Sequence, residues 1–136
     1  VLCLRRNRLT RLPEDFGELF LLRKLDLANN LLTQLPESFT WLTGLKNIVV
    51  AQNQLAALPD LIGKLEALDT LDLAHNRELC YLPQSFGELE NLVRLHLEGT
   101  QLAELPERFT MLNELRVLDL RETPLAATLE TAENHP

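Results

Sequence analysis

The chain has 136 residues, 13 basic and 20 acidic, for a formal net charge of −7, with 5% aromatic residues. That length allows one domain with its own core, while the acidic balance and scarce aromatics argue against a dedicated nucleic-acid binder. Leucine accounts for 35 of the residues, yet no stretch approaches the ~18 apolar residues of a membrane span, so no membrane insertion is expected. The start, Val1-Leu2-Cys3-Leu4-Arg5-Arg6, does not read as a secretory signal. Cys3 and Cys80 are too few for a disulfide framework and lack the neighbours of a structural zinc site. They read as reduced thiols in a reducing compartment.

Three in-phase series organise the chain. Leu-Pro recurs at Leu12-Pro13, Leu35-Pro36, Leu58-Pro59, Leu82-Pro83 and Leu105-Pro106, in steps of 23, 23, 24 and 23. Asn7, Asn30, Asn53 and Asn76, then Thr100 and Thr123, keep the same phase, as do Phe16, Phe39, Ile62, Phe86 and Phe109. Within each unit, triplets such as Leu25-Asp26-Leu27 alternate apolar and polar and predict a short strand. Leu-Pro closes the following loop, because proline cannot donate to a strand ladder. Phe39, Leu42 and Leu45 then recur every three residues, as one face of a short helix or 3₁₀ turn would.

In chain order, residues 1–21 are a partial unit that begins in mid-strand, so an irregular cap or a longer parent chain is expected. Four full units follow at 22–44, 45–67, 68–91 and 92–114. The 24-residue unit carries an extra residue in Arg77-Glu78, just before Cys80 and Tyr81. A tolerated one-residue bulge is the simpler reading, a binding feature the alternative. Residues 115–129 read as a degenerate unit, with Thr128-Leu129 where Leu-Pro is due, and 130–136 as a polar tail, frayed or serving as a modest cap. No 23-residue unit can bury its leucines alone, and stacking makes one continuous column within a single domain. The asparagine amides suit buried loop positions, where donors and acceptor must all find partners. A threonine satisfies fewer, so the last two turns are expected to be looser.

This pattern resembles the leucine-rich repeat family over residues 1–125. With Leu-Pro followed by Phe-x-x-Leu-x-x-Leu it is similar to the intracellular 23-residue class, found in Ras-associated scaffolds, plant Ras-group repeat proteins and bacterial proteins that include secreted effectors. The resemblance implies a right-handed α/β solenoid, a horseshoe of about six repeats. Parallel strands would line its concave face and short helical or 3₁₀ turns its convex face. It also implies that the concave face binds a protein partner.

Side chains one repeat apart are then neighbours about 4.8 Å apart, and the surface can be written as columns. The column between the strand leucines is Cys3, Asp26, Val49, Asp72, His96 and Asp119. Next come Arg5, Ala28, Ala51, Ala74, Glu98 and Arg121, and beyond them Arg6, Asn29, Gln52, His75, Gly99 and Glu122. On the other side lie Lys24, Asn47, Thr70, Arg94 and Val117. Ala28, Ala51 and Ala74 beside Val49 predict a shallow apolar floor with a polar rim of Asn29, Gln52 and His75. The alternative is that alanine fills an undemanding slot. Asp72, His96 and Asp119 form a row that suggests a pH-sensitive contact, although aspartate here is commonplace in the repeat class and no fourth ligand converges for a metal. Residues 1–24 carry a net +3 and the rest −10. Solvated surface is the first reading of that polarity, steering of an acidic partner the second. On the convex side Phe20 and Trp41 occupy slots held elsewhere by polar or flexible residues, a candidate exposed pair.

No phosphate-binding glycine loop, nucleophile elbow or metalloprotease motif is present, and no enzyme activity, cofactor or metal is expected. The expected function is a non-catalytic recognition module in the cytoplasm, or delivered to a host cytoplasm, monomeric in isolation and used in scaffolding or signalling. The rivals are the substrate-recognition part of a larger effector, kinase or ligase, and a scaffold for a small GTPase or phosphatase.

Overall fold

The computed structural model describes residues 1–133. Six short strands, β1 (Leu2–Cys3), β2 (Lys24–Asp26), β3 (Asn47–Val49), β4 (Thr70–Asp72), β5 (Arg94–His96) and β6 (Val117–Asp119), form one open parallel sheet in sequential order. Their central residues stand in register, Leu2, Leu25, Ile48, Leu71, Leu95 and Leu118 each facing the next. This is the leucine-rich solenoid expected from the repeat.

The three-residue spacing of the convex segment is a hydrogen-bond spacing. The carbonyl of each repeat proline accepts the N–H three residues on, Phe16, Phe39, Ile62, Phe86 and Phe109, at 2.9–3.0 Å. That residue's carbonyl accepts the N–H of the next Leu, and in all five units that Leu's carbonyl accepts another three further on, as in Leu42 to Phe39 (3.2 Å) and Leu45 to Leu42 (3.0 Å). The resulting 3₁₀ turns at Phe16–Glu18, Glu37–Trp41, Ile62–Lys64, Gln84–Glu88 and Glu107–Met111 point one side chain in three inward. Phe39, Leu42, Leu45, Ile62, Leu65, Leu68, Phe86, Leu89 and Leu92 are fully buried against the strand leucines. Phe16 stacks on Phe39 at 6.0 Å between ring centroids and Phe86 on Phe109 at 6.2 Å, with Ile62 between the two pairs.

The asparagine series seals the loop side. Asn53 Nδ2 donates to the carbonyls of Val50 and Ala51 in its own repeat and of Leu27 in the preceding one, while its Oδ1 accepts the N–H of Leu32. Asn30 repeats all four bonds and Asn76 three of them. Thr100 is fully buried and makes one side-chain bond, to the carbonyl of Leu97 (2.8 Å). The N–H of Leu79, which an asparagine at 100 would receive, turns instead to the carbonyl of Asn76 (3.1 Å).

The structure differs from the sequence reading at its C-terminal end. After the loop of the last unit the chain enters a helix, α1 (Pro124–Glu133), so a degenerate repeat to 129 and a frayed tail from 130 do not describe it. The signals are local. Thr123 Oγ1 accepts the N–H of Ala126 (3.1 Å) as an N-cap, and Pro124 sits at the first helical position, where its missing N–H does no harm. The tail residues 134–136 lie outside the described residues.

Replacing Asn53 by alanine strands several buried backbone groups at once, whereas Thr100→Ala frees one. Urea denaturation is expected to show a loss of about 3 kcal/mol for Asn53→Ala and about 1 kcal/mol for Thr100→Ala. Equal losses would contradict the ladder's weight.

Candidate functional site

Because β2 to β5 each bury their central residue, the residues on either side point away from the core, and the register makes them neighbours. Lys24, Asn47, Thr70, Arg94 and Val117 form one column, and Asp26, Val49, Asp72, His96 and Asp119 the next. Asn47, Val49, Thr70, Asp72 and His96 are half-buried, with Lys24 and Arg94 exposed at the edge.

The aspartates prove to be occupied along their own strands. Asp26 Oδ1 accepts the N–H of Ala28 and Asp72 Oδ1 that of Ala74, both at 3.0 Å, and Asp119 Oδ1 that of Arg121 at 3.1 Å. Asp72, His96 and Asp119 stand in one row by register, each carboxylate has one oxygen engaged by its own strand, and among the described residues no salt bridge joins His96 to either. Arg121 Nη2 donates to Asp119 Oδ2 (2.7 Å) and reaches Glu98 Oε2 (3.3 Å), and His75 Nε2 lies 4.0 Å from Glu98 Oε1. The Arg121 hydrogen bond, opposed in part by burial, holds the Asp119 carboxyl below its ordinary value, and Asp119 in turn raises Arg121. Among the described residues no group of three or more His, Cys, Asp or Glu side chains is placed to hold a metal ion.

The alanine floor needs correction. Ala28 is 3% and Ala74 7% exposed, and only Ala51 is half-buried. Arg5, which pairs with Asp26 at 2.9 Å, and Glu98, held by Arg121, occupy the same column and stand above these small residues. The alanines thus expose little area, and the apolar side chains of these columns that reach the surface are half-buried Val49 and exposed Val117.

The rim column carries a feature the sequence reading missed. Arg6, Asn29, Gln52, His75, Gly99 and Glu122 all have left-handed backbone, from φ 55° at Gln52 to 71° at Gly99. From Arg6 to Gly99 each still donates its N–H to the next repeat, as Gln52 does to Ala74 (2.8 Å) and His75 to Glu98 (2.7 Å). They extend the ladder beyond the strands while turning the chain into the loop. The cost is about 1–2 kcal/mol for each residue that is not glycine. Asn29 and Gly99 were the available signal, diluted by Arg, Gln, His and Glu at the equivalent positions. At Gly99 an added Cβ would strike the His75 ring, so glycine fixes where that imidazole lies.

On the far side Phe20 and Trp41 are 65% and 57% exposed. The stacked aromatic pairs among the described residues are those of the core, and Phe20 and Trp41 do not form one. Phe20 instead lines a shallow cleft of about 370 Å³ with Val1, Leu19, Leu21 and Leu22 at the N-terminal end of the array. Cys3 and Cys80 are free and exposed. No helix among the described residues is long and apolar enough to cross a membrane.

The leucine rich repeat family matches residues 21–77 and 43–102, and the chain belongs to that family. Among solved structures it is similar to a leucine-rich repeat protein of Leptospira interrogans, at 31% identity and TM-score 0.61, over 86% of this chain and 36% of that one. It is also similar to the leucine-rich repeat domain of the type III effector XopL, at 31% identity and TM-score 0.84, over 90% of this chain and 44% of the other. The chain thus spans less than half of each. Among curated proteins none matches it.

Two measurements check this geometry. Gly99→Ala is expected to lose at least about 1 kcal/mol of stability in urea denaturation and to shift the His75 imidazole resonances, whereas Gln52→Gly gains up to about 1 kcal/mol. No change in either variant would contradict the left-handed column. Asp119 titrates below 3.8 when folded, so its contribution is present above that value and lost as pH falls through the folded pKa. Asp119→Asn should therefore be less stable than wild type at pH 6, by a margin that narrows as pH falls through the folded pKa. A gap that does not narrow on acidification would contradict the Arg121 contact.

Proposed function

We propose that this chain is a non-catalytic module that recognises a protein partner on its concave strand face. The observation that carries the reading is the pair of in-register columns, half-buried and side by side across β2 to β5. Such a face is built before the partner arrives and loses little entropy on binding. Six strands span roughly 25 Å at about 4.8 Å each, room for a standard interface of ~800 Å² per partner. Within it Val49, Asn47, Thr70, Asp72 and His96 are the central contacts, with Lys24, Asp26, Ala51, His75, Arg94, Glu98, Asp119 and Arg121 around them. Ala28 and Ala74 act only by letting a partner come close.

A second reading rests on the likeness to an effector's repeat domain and on the partial coverage of both relatives. In it the array is the target-reading part of a longer protein working in a cytoplasm, its own or a host's. Both readings place recognition on the same face.

The test is affinity capture with three baits, each checked for folding by circular dichroism: wild type, Val49→Glu/His96→Glu and Phe20→Ala/Trp41→Ala. Loss of a specific partner by the first variant alone is expected. Loss by the second alone would move recognition off the concave face and contradict the proposal.

A further inference from the structure

A groove of about 840 Å³ lies beside the concave face and shares Lys24 and Asn47 with its edge column. It runs along the edge of the array where each convex turn feeds the next strand. One wall carries Arg23, Lys24 and Lys46, the other Glu88, Glu90 and Glu114. Ala67, Val93 and Met111 line it between charges, and Met111 is 59% exposed.

The basic wall is compact and unbalanced. Lys46 N–H donates to the Arg23 carbonyl at 2.8 Å, so the two side chains leave adjacent backbones. Arg23 is laid against Gly44, where a Cβ would collide with its guanidinium. Its side chain has one long hydrogen bond, to the Leu22 carbonyl at 3.4 Å. Among the described residues none of the three cations has a carboxylate partner. Asp69, the nearest anion in sequence register, faces Thr70 Oγ1 (2.9 Å) and Arg94 (3.7 Å) instead.

The acidic wall is only loosely compensated. Glu88 lies 3.8 Å from Arg108 and Glu114 3.7 Å from Arg116, both exposed pairs of the kind that contributes little. Glu90 has no ion pair among the described residues. Asp69 and Arg108 also line the groove, each beside an opposite charge, so its unpaired charge is positive at one end and, at Glu90, negative at the other.

We infer that this edge groove is a second binding site, for an extended protein segment with acidic residues at one end and basic residues at the other. Like charges held side by side without counter-charges favour an occupant that brings them, and complementary potentials fix its direction and register. Lys46 stands two strand spacings, about 10 Å, from its counterpart Val93, and Glu90 lies three residues before Val93, a span that a short extended peptide covers at ~3.3 Å per residue. The site shares Lys24 and Asn47 with the edge of the concave face and stands whether or not the rest of that face reads a partner.

The probe is a fluorescein-labelled peptide with two glutamates, four Ser/Gly residues and two lysines, in either direction, titrated by anisotropy at low ionic strength. An alternating-charge peptide of the same composition and an all-acidic peptide serve as comparisons. The block-charged peptide is expected to bind at least tenfold tighter than both. Lys24→Glu/Lys46→Glu and Glu88→Lys/Glu90→Lys, each checked by circular dichroism, should each weaken it at least tenfold, and Val49→Glu/His96→Glu should leave it unchanged. Equal binding of block and alternating peptides, or indifference to both edge pairs, would overturn the site. Equal binding of the all-acidic peptide would remove the acidic wall from it, and loss with the concave variant alone would place the peptide there instead.

Discussion

The structure depends on one repeated interaction, the buried asparagine amide that binds carbonyls of two successive repeats and accepts an N–H of the earlier one. Strands three residues long leave most of each unit's backbone outside the sheet. Those polar groups lie against a leucine core, where each unpaired one would cost about 1–3 kcal/mol. Asn30, Asn53 and Asn76 supply the missing partners at every level. With the loops fixed, the strand leucines fall into register, and with the leucines in register the polar residues between them become columns. The candidate binding face is a consequence of that chain of constraints.

The fourth unit shows what happens when the amide is withdrawn. With threonine at 100, one hydroxyl replaces an amide, and the Leu79 N–H finds the Asn76 carbonyl instead. The extra residue of Arg77-Glu78 lies within that local turn. The insertion and the Asn-to-Thr change are thus two parts of one local solution, which supports the simpler reading of the longer unit. The same substitution at 123 has another outcome, since the hydroxyl there caps a helix.

Much of the fold was legible because stacking reduces neighbourhood to arithmetic. Residues 23 or 24 apart are partners, and the columns written from the sequence are the columns found. What was not legible lies along other directions. Whether Ala28 and Ala74 expose area depends on the reach of longer side chains in their column. The left-handed backbone of Arg6, Gln52, His75 and Glu122 runs against the preference of each residue and is imposed by the turn out of the sheet. The helix from Pro124 was signalled by Thr123-Pro124 and an alanine-rich run, but the repeat phase suggested a weakened unit. The edge groove draws its walls from strand starts and convex turns of different repeats, which no single column contains.

Native-state hydrogen exchange followed by NMR tests the central claim most directly. The N–H groups of Leu32 and Leu55 donate to asparagine side chains at 3.0 Å, and that of Val50 to the next strand at 2.9 Å. If the ladder is part of the cooperative structure, Leu32 and Leu55 should exchange as slowly as Val50, through global opening. Were they to exchange as fast as Ala126 at the start of the exposed C-terminal helix while Val50 stayed protected, the amides would be decoration on a sheet that stands without them.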